Sequence, residues 1–366
     1  MHLPDFVRTP LSFVVVLGVL VFIHELGHYL AARWVGVHVE AFSIGFGRAI
    51  LQWTDRVGTV WKLSWIPLGG YVKLHGQERP EDVDDATRAG WFEGRTFHGK
   101  SVARRAIVVA AGPIANFLLA AVLFAALFAT AGRPVSIPVI GDVQPQSAAA
   151  QAGLKTGDRV TSIDGQKVSR FEDLQRIIAG AADQTVKVEF ERDGLPQAAS
   201  VHVASREGAL GRRMGVLGVR GGAPEYKQLD PASAVVAGVQ QTWDVLVQTL
   251  QGLGQMLSGQ RSADELSGPL GILQLSGQVA SLGIASLVSF IAVLSVNLGL
   301  INLFPIPVLD GGHLVLFAIE AIRGRPVPPK VQEFGFRAGF AVLAGLFVFA
   351  TWNDLSHLGL FHWLKG

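Results

Sequence analysis

Apolar positions in this chain gather into long unbroken runs instead of alternating with polar ones. The first run extends from about Leu11 to Trp34, and its interior is interrupted by three ionisable side chains, His24, Glu25 and His28. Runs that are free or nearly free of charge follow at 106–130, about 282–309 and 338–353. The hydrocarbon layer of a bilayer is ~30 Å thick, and a helix rising 1.5 Å per residue crosses it in about 20 residues. These runs therefore predict four membrane-spanning helices, the last needing Phe334 to Phe336 to reach full length. A further stretch, 232–257, is mostly apolar but patterned. Val236, Val239, Trp243, Leu246, Leu250, Leu253 and Leu257 recur at helical spacing, with Gln240, Gln241, Asp244, Gln248 and Gln251 largely opposite. That amphipathicity suits a helix lying in the interface better than a fifth span.

Two regions follow a different pattern. Residues 141–222 read as a small soluble α/β module: a turn, strand and tight Asp-Gly turn over Gly153–Gly165, a helix from Phe171 to Ile178, and an alternating strand Val186–Phe190. Between the first two spans, Val37 to Phe46 and Thr59 to Ile66 read as short strands, followed by Pro67 to Leu74. This segment is rich in Trp, Phe and Ile, which suits a membrane interface.

The histidine pair changes the picture from architecture to chemistry. An ionised group near the centre of a span costs roughly 2.5–3.5 kcal/mol on insertion scales, so such residues are kept for function. In the H-E-x-x-H pattern, His24 and His28 lie about 40° apart on one helix face and can share a metal. Glu25, about 100° round, can hold a water bound to that metal and take its proton. A catalytic zinc normally has three protein ligands. The acid placed to complete the set is Asp310, at the end of a span whose paired prolines, Pro305 and Pro307, break the helix before it. The two glycines after it let the backbone approach closely.

H-E-x-x-H in a first span with Asn302-Leu303-Phe304-Pro305-Ile306-Pro307-Val308-Leu309-Asp310-Gly311 in a later one resembles the site-2 protease family of intramembrane zinc metalloproteases. The central module, with its G-L-x-x-G-D-x-V-x-x-I-D-G pattern, resembles the PDZ domains of bacterial envelope proteases and narrows the likeness to the RseP-type branch. The resemblance covers nearly the whole chain. It implies Zn2+ as cofactor, His24, His28 and Asp310 as its ligands, and Glu25 as catalytic base. It also implies that Asn302 contacts substrate near the metal. Gly112-Pro113-Ile114-Ala115-Asn116 matches a further family motif, and Asn116, Pro305 and Pro307 join Asn302 as candidate substrate-binding residues. An amide in a span also serves simply to bond a neighbouring helix. The resemblance further implies a hairpin, here 39–74, that re-enters the membrane and offers an edge strand to an unwound substrate. Met214–Val219 would form the loop that binds a chain terminus. The branch usually carries two tandem PDZ modules, and this chain has room for one.

The expected fold is thus a polytopic α-helical membrane protein with four transmembrane helices, a membrane re-entrant β-hairpin region, one inserted α/β PDZ domain and an interfacial amphipathic helix. The expected segments are a first transmembrane helix (1–34), a loop with the hairpin (35–105), a second transmembrane helix (106–130), a periplasmic PDZ domain (131–222), and a linker with the amphipathic helix (223–281). A third transmembrane helix (282–313), a short helix and loop (314–337), and a fourth transmembrane helix with a tail (338–366) complete the chain. Eleven Lys or Arg between 32 and 105 place that loop on the cytoplasmic side of a bacterial inner membrane. No A-x-A-like site follows the first run, which reads as a retained span. With four spans, the helix ends carrying His28 and Asp310 reach the same face; a fifth span between them would part them.

Composition adds little more. The formal charge of +2 says little about partners, none of which is expected to be a nucleic acid, and the absence of cysteine excludes a thiolate metal site. The expected activity is hydrolysis of a peptide bond in or beside the transmembrane segment of a single-pass protein, such as a membrane-anchored anti-sigma factor first trimmed by another protease. The PDZ module would screen out bulky substrates. Alternatives are a membrane zinc peptidase of the HtpX or Ste24 type, which takes its third ligand from a downstream glutamate, an inactive PDZ-bearing adaptor, and a transporter. The absence of a repeated pair of broken helices argues against the last.

Overall fold

Pro4, which has no N–H to leave unpaired, precedes one continuous helix that carries the whole first apolar run, α1 (Asp5–Trp34). The computed structural model describes residues 4–78, 83–207, 213–262 and 267–357; the expected C-terminal tail after His357 lies outside them. After α1 come the strands β1 (Val39–Thr54) and β2 (Val60–Leu74), a short helix α2 (Asp85–Ala89), and the helix α3 (Val102–Thr130).

The β1–β2 pair is more than a plain hairpin. Its outer part pairs Thr54 with Val60 and Leu51 with Leu63. The inner part of β1 has a partner on each side, Ala41 to Ile44 meeting both 60–63 and 70–73 of β2. Gly45 makes this possible: it adopts φ +84°, and a Cβ there would stand 2.7 Å from the Ile66 carbonyl oxygen. The chain therefore bends at Gly45 and continues as strand, where the sequence pattern suggested a stop at Phe46. The resulting order leaves Gly70–Leu74 at one edge. His75, the next residue, is covered, because Phe97 N–H donates to its carbonyl (2.7 Å).

The chain divides into two compact units. One runs from Phe128 to Asp230, and the other comprises the residues on either side. The inserted unit contains β3 (Arg133–Val135), β4 (Ile140–Val143), α4 (Ala148–Gln151), β5 (Arg159–Ile163), β6 (Gln166–Lys167), α5 (Phe171–Gly180), β7 (Thr185–Arg192), β8 (Leu195–His202), β9 (Ala204–Glu207), β10 (Arg213–Val216), β11 (Val219–Gly221) and β12 (Glu225–Lys227). A four-stranded sheet, β6-β5-β7-β8, packs Val186, Val188 and Phe190 of β7 against Phe171, Leu174 and Ile178 of α5, matching periods of two and 3.6. β12 pairs with β3, so strand pairing continues five residues beyond the expected end at Gly222. Met214–Val216 belongs to β10, paired with β9, while Val219 opens β11 against β4.

Five helices return to the flanking unit: α6 (Pro231–Leu257), α7 (Pro269–Ser281), α8 (Ile284–Asn302), α9 (Asp310–Arg323) and α10 (Pro329–His357). Among the described residues four helices, α1, α3, α8 and α10, are long and apolar enough to cross a membrane. α6 packs against the bundle by the side opposite its large apolar residues. Its packed face is the small-residue one, Ala234, Ala237, Gly238 and Thr242, and a Cβ on Gly238 would stand 2.5 Å from the Ala121 carbonyl oxygen of α3. Further along, the Thr249 hydroxyl donates to Asn297 Oδ1 (2.9 Å), about 20 Å along α8 from its start. α6 therefore lies alongside α3 and α8, and its apolar stripe, with Val236 and Trp243 exposed, faces outward.

Candidate metal centre

Helical spacing brings His24 and His28 to one side of α1, and the irregular stretch after α8 brings Asp310 to them. Their ligand atoms form a small triangle: His24 Nε2 to His28 Nε2 is 3.3 Å, and Asp310 Oδ2 lies 3.3 Å and 3.5 Å from the two nitrogens. A point equidistant from all three lies about 1.9 Å from each, close to the roughly 2.0–2.2 Å of zinc–nitrogen and zinc–carboxylate bonds. Asp310 Oδ2 is buried without a hydrogen-bond donor. These are three of the hard-to-borderline donors zinc takes, converging and otherwise unsatisfied, so the residues present fit the ion.

Asp310 reaches this position because α9 begins on it and the preceding turn packs tightly. Cβ atoms on Gly311 and Gly312 would stand 2.2 Å from Leu303 O and 2.3 Å from Ile306 O. Only a chain without side chains at both positions can fold back this closely. Pro307 packs against α10 at Gly339, where a Cβ would stand 3.1 Å from the ring.

Behind the histidines runs α3. His28 Nδ1 is 2.9 Å from the Val108 carbonyl, which can only accept, so Nδ1 carries the proton and Nε2 keeps its lone pair. Gly112, one turn on, leaves the space the rings fill. Asn116, another turn on and wholly buried, sets its amide 3.2 Å from His24 Nδ1.

In front lies a cavity of about 680 Å³ lined by His24, Glu25, His28, Asn302 and Asp310, and by Gly70, Tyr71, Val72 and Leu74 of the open strand edge. A Cβ on Gly70 would stand 3.1 Å from Glu25 Cγ, so the strand passes close beside the stem of the Glu25 side chain. His98, His313 and the Arg105–Glu320 ion pair (2.7 Å) line the same space; Arg105 also lies over the Phe317 ring of α9. Asn302 thus meets the cavity. Asn116, Pro305 and Pro307 are not among its lining residues: Asn116 stands behind a histidine and Pro307 against α10. His75 is engaged elsewhere, with Glu40 at Nδ1 (2.8 Å) and the Phe92 N–H at Nε2 (2.8 Å). Gly70, Gly112 and Arg105 were not singled out as site residues from the sequence. A strand edge and a helix face become visible only when pairing partners are known.

Two histidines on a helix long and apolar enough to cross a membrane, joined by an acid from the start of α9 and facing a cavity with a glutamate, form a group that could hold a metal ion, the donor set of a metallopeptidase. The sequence model of Peptidase family M50 matches residues 12–346, and the chain belongs to that family. A relative from Agrobacterium fabrum, provisionally named a zinc metalloprotease, is 45% identical over 358 residues, 94% of this chain and 95% of that one. Metalloprotease MmpA of Caulobacter vibrioides is 38% identical, covering 97% of each chain. Regulator of sigma-E protease RseP of Escherichia coli is 33% identical, covering 95% of this chain and 98% of its own. Among solved structures, the PDZ domain of an SdrC-like protein from Listeria monocytogenes matches 24% of this chain and 90% of its own length, at 19% identity and a TM-score of 0.21.

Proposed function

We propose that this metalloprotease is an intramembrane endopeptidase that cleaves the transmembrane segment of a single-pass protein. The observation that carries the reading is one cavity holding both the His24–His28–Asp310 triangle with Glu25 and an unpaired strand edge. Zinc held by those three residues would supply Lewis acidity and a water acidic enough to ionise near pH 7. Glu25, which lines the same cavity, would act as the base that takes a proton from the attacking water and passes it to the departing amine. A helical substrate hides its carbonyls in hydrogen bonds, and Gly70–Leu74 offers replacement N–H and C=O groups to an unwound chain. Asn302, on the cavity wall, would hydrogen-bond that chain.

The likeness to RseP extends the proposal to regulated cleavage of an anti-sigma factor after prior trimming by another protease. The inserted unit serves as a PDZ module outside the inner membrane, and the active site opens toward the cytoplasm. Asp310 as third ligand favours this reading over an HtpX- or Ste24-type peptidase.

Two variants test it in purified full-length protein. Glu25→Gln should keep its zinc and lose about 10²–10⁴-fold in cleavage of a transmembrane substrate. Asp310→Asn should lose zinc. Wild-type cleavage in the first, or full zinc occupancy in the second, would remove the assigned role.

A further inference from the structure

Val108, Gly112 and Asn116 follow one another at four-residue spacing on α3, and all three address the two histidines. The backbone already fixes His28, because a carbonyl acceptor at Nδ1 leaves Nε2 free. His24 has no backbone partner at Nδ1. Its neighbour there is the Asn116 amide, the one such group among the described residues.

A histidine that ligates through Nε2 carries its proton on Nδ1, and a buried N–H needs an acceptor. In the present orientation Asn116 Nδ2 faces His24 Nδ1, while Asn116 Oδ1 is buried with no donor. The two ends of an amide have the same shape, and a half-turn exchanges them. That half-turn sets Oδ1 against Nδ1 and turns the stranded acceptor toward the N–H it lacks. The N–H of a metal-bound imidazole is a stronger donor than that of a free one, which favours the exchange. The Ser295 hydroxyl of α8, wholly buried, donates to the Asn116 main-chain carbonyl (2.7 Å), which fixes the backbone from which the amide projects and leaves Oδ1 itself without a donor.

We infer that Asn116 is a positioning residue of the metal centre: its Oδ1 accepts the Nδ1 proton of His24 and so directs the Nε2 lone pair at the position His28 and Asp310 share. The inference rests on reading those three residues as zinc ligands. It gives the family's amide in the second span a task behind the metal instead of at the substrate.

The test is zinc affinity of the detergent-purified full chain, measured by competition with a fluorescent chelator. Asn116→Leu, which keeps the bulk and removes the acceptor, should bind zinc 10–100-fold more weakly. Asn116→Asp, which restores an acceptor, should bind at least as tightly as wild type. Cobalt-substituted protein should show a changed visible d–d spectrum in the leucine variant and a restored one in the aspartate variant. Unchanged affinity in Asn116→Leu overturns the inference. If the leucine variant does not fold, a tenfold loss in Asn116→Asp overturns it alone. His24→Ala separates the layers: if wild type holds zinc without needing His24, the ligand assignment itself falls.

Discussion

Gly112 and His28 are packed so closely that a Cβ on the glycine would stand 2.3 Å from the imidazole Nε2, with His24 Cε1 only 2.9 Å away. No real Cβ tolerates such distances, so Gly112→Ala must push one or both ligands from their places. Helix propensity favours alanine by about 1 kcal/mol, so the helix itself should persist. The expected result is a folded protein with zinc affinity reduced tenfold or more. Metal analysis together with far-ultraviolet circular dichroism separates loss of metal from loss of fold.

Gly70 presents the same kind of contact on the substrate side. A Cβ there would meet Ser43 O at 2.6 Å, Val21 Cγ1 at 2.9 Å and Glu25 Cγ at 3.1 Å. Gly70→Ala should displace the strand edge from the carboxylate while leaving the three ligands alone. Misplacement by about 1 Å costs on the order of 10²-fold in rate. Cleavage should therefore fall steeply with zinc content unchanged; loss of zinc instead would show that the strand supports the metal and not the substrate.

In the inserted unit, Asp158 is buried and bonded by both arms of Arg192, at 2.7 Å each, and by the Lys155 N–H at 2.7 Å. Burial alone would raise this carboxyl; the Arg192 and Lys155 hydrogen bonds overcome it and hold it below its ordinary value. A depressed folded value means that the group's contribution is fully present above the unfolded carboxyl range, near 3.9, and is lost as pH falls through the folded value. Arg192→Ala leaves a buried charge unpaired and should cost about 3–5 kcal/mol. Hydrogen exchange of 155–192, corrected for intrinsic rate, should show this region opening more readily in the variant near neutral pH, with the difference from wild type shrinking as pH falls through the folded Asp158 value.

Asp354 of α10 caps a helix far from it in sequence, its two oxygens accepting the N–H groups of Gly268 and Gly271 at 2.9 Å each, at the start of α7. Gly268, at the N-cap, has no side chain to do this. Asp354→Ala should destabilise the protein by about 1–2 kcal/mol, and Asp354→Asn, which keeps one acceptor, by less. Thermal unfolding of the two variants in detergent checks the order.

How far sequence anticipated structure depended on the kind of signal. His24, Glu25 and His28 needed only the period of a helix, and Asp310 needed only the scarcity of charge in its span. α6 was recognisable as a helix, but its packed face was not. Ala234, Ala237 and Gly238 carry little hydrophobic weight, so the pattern shows the apolar stripe with Val236 and Trp243, which the bundle leaves outside, and not the face that packs. Asn116 was noticed without its direction, because facing a histidine or facing a cavity depends on the rotation of α3. The outer half of β1 was missed because Gly45 bends the strand where a glycine more often ends one.

Neither histidine is held by α1 alone. Val108, Gly112 and Asn116 back them from α3, and Arg105 of the same helix clasps Glu320 of α9, the helix that opens with Asp310. A slip of α3 by one residue would turn it about 100° and swing Ala111 or Pro113 into the space Gly112 leaves open. With His24, His28 and Asp310 proposed as the zinc ligands, the centre would act as a register gauge for the bundle, gathering its metal only after the helices have docked in their final alignment.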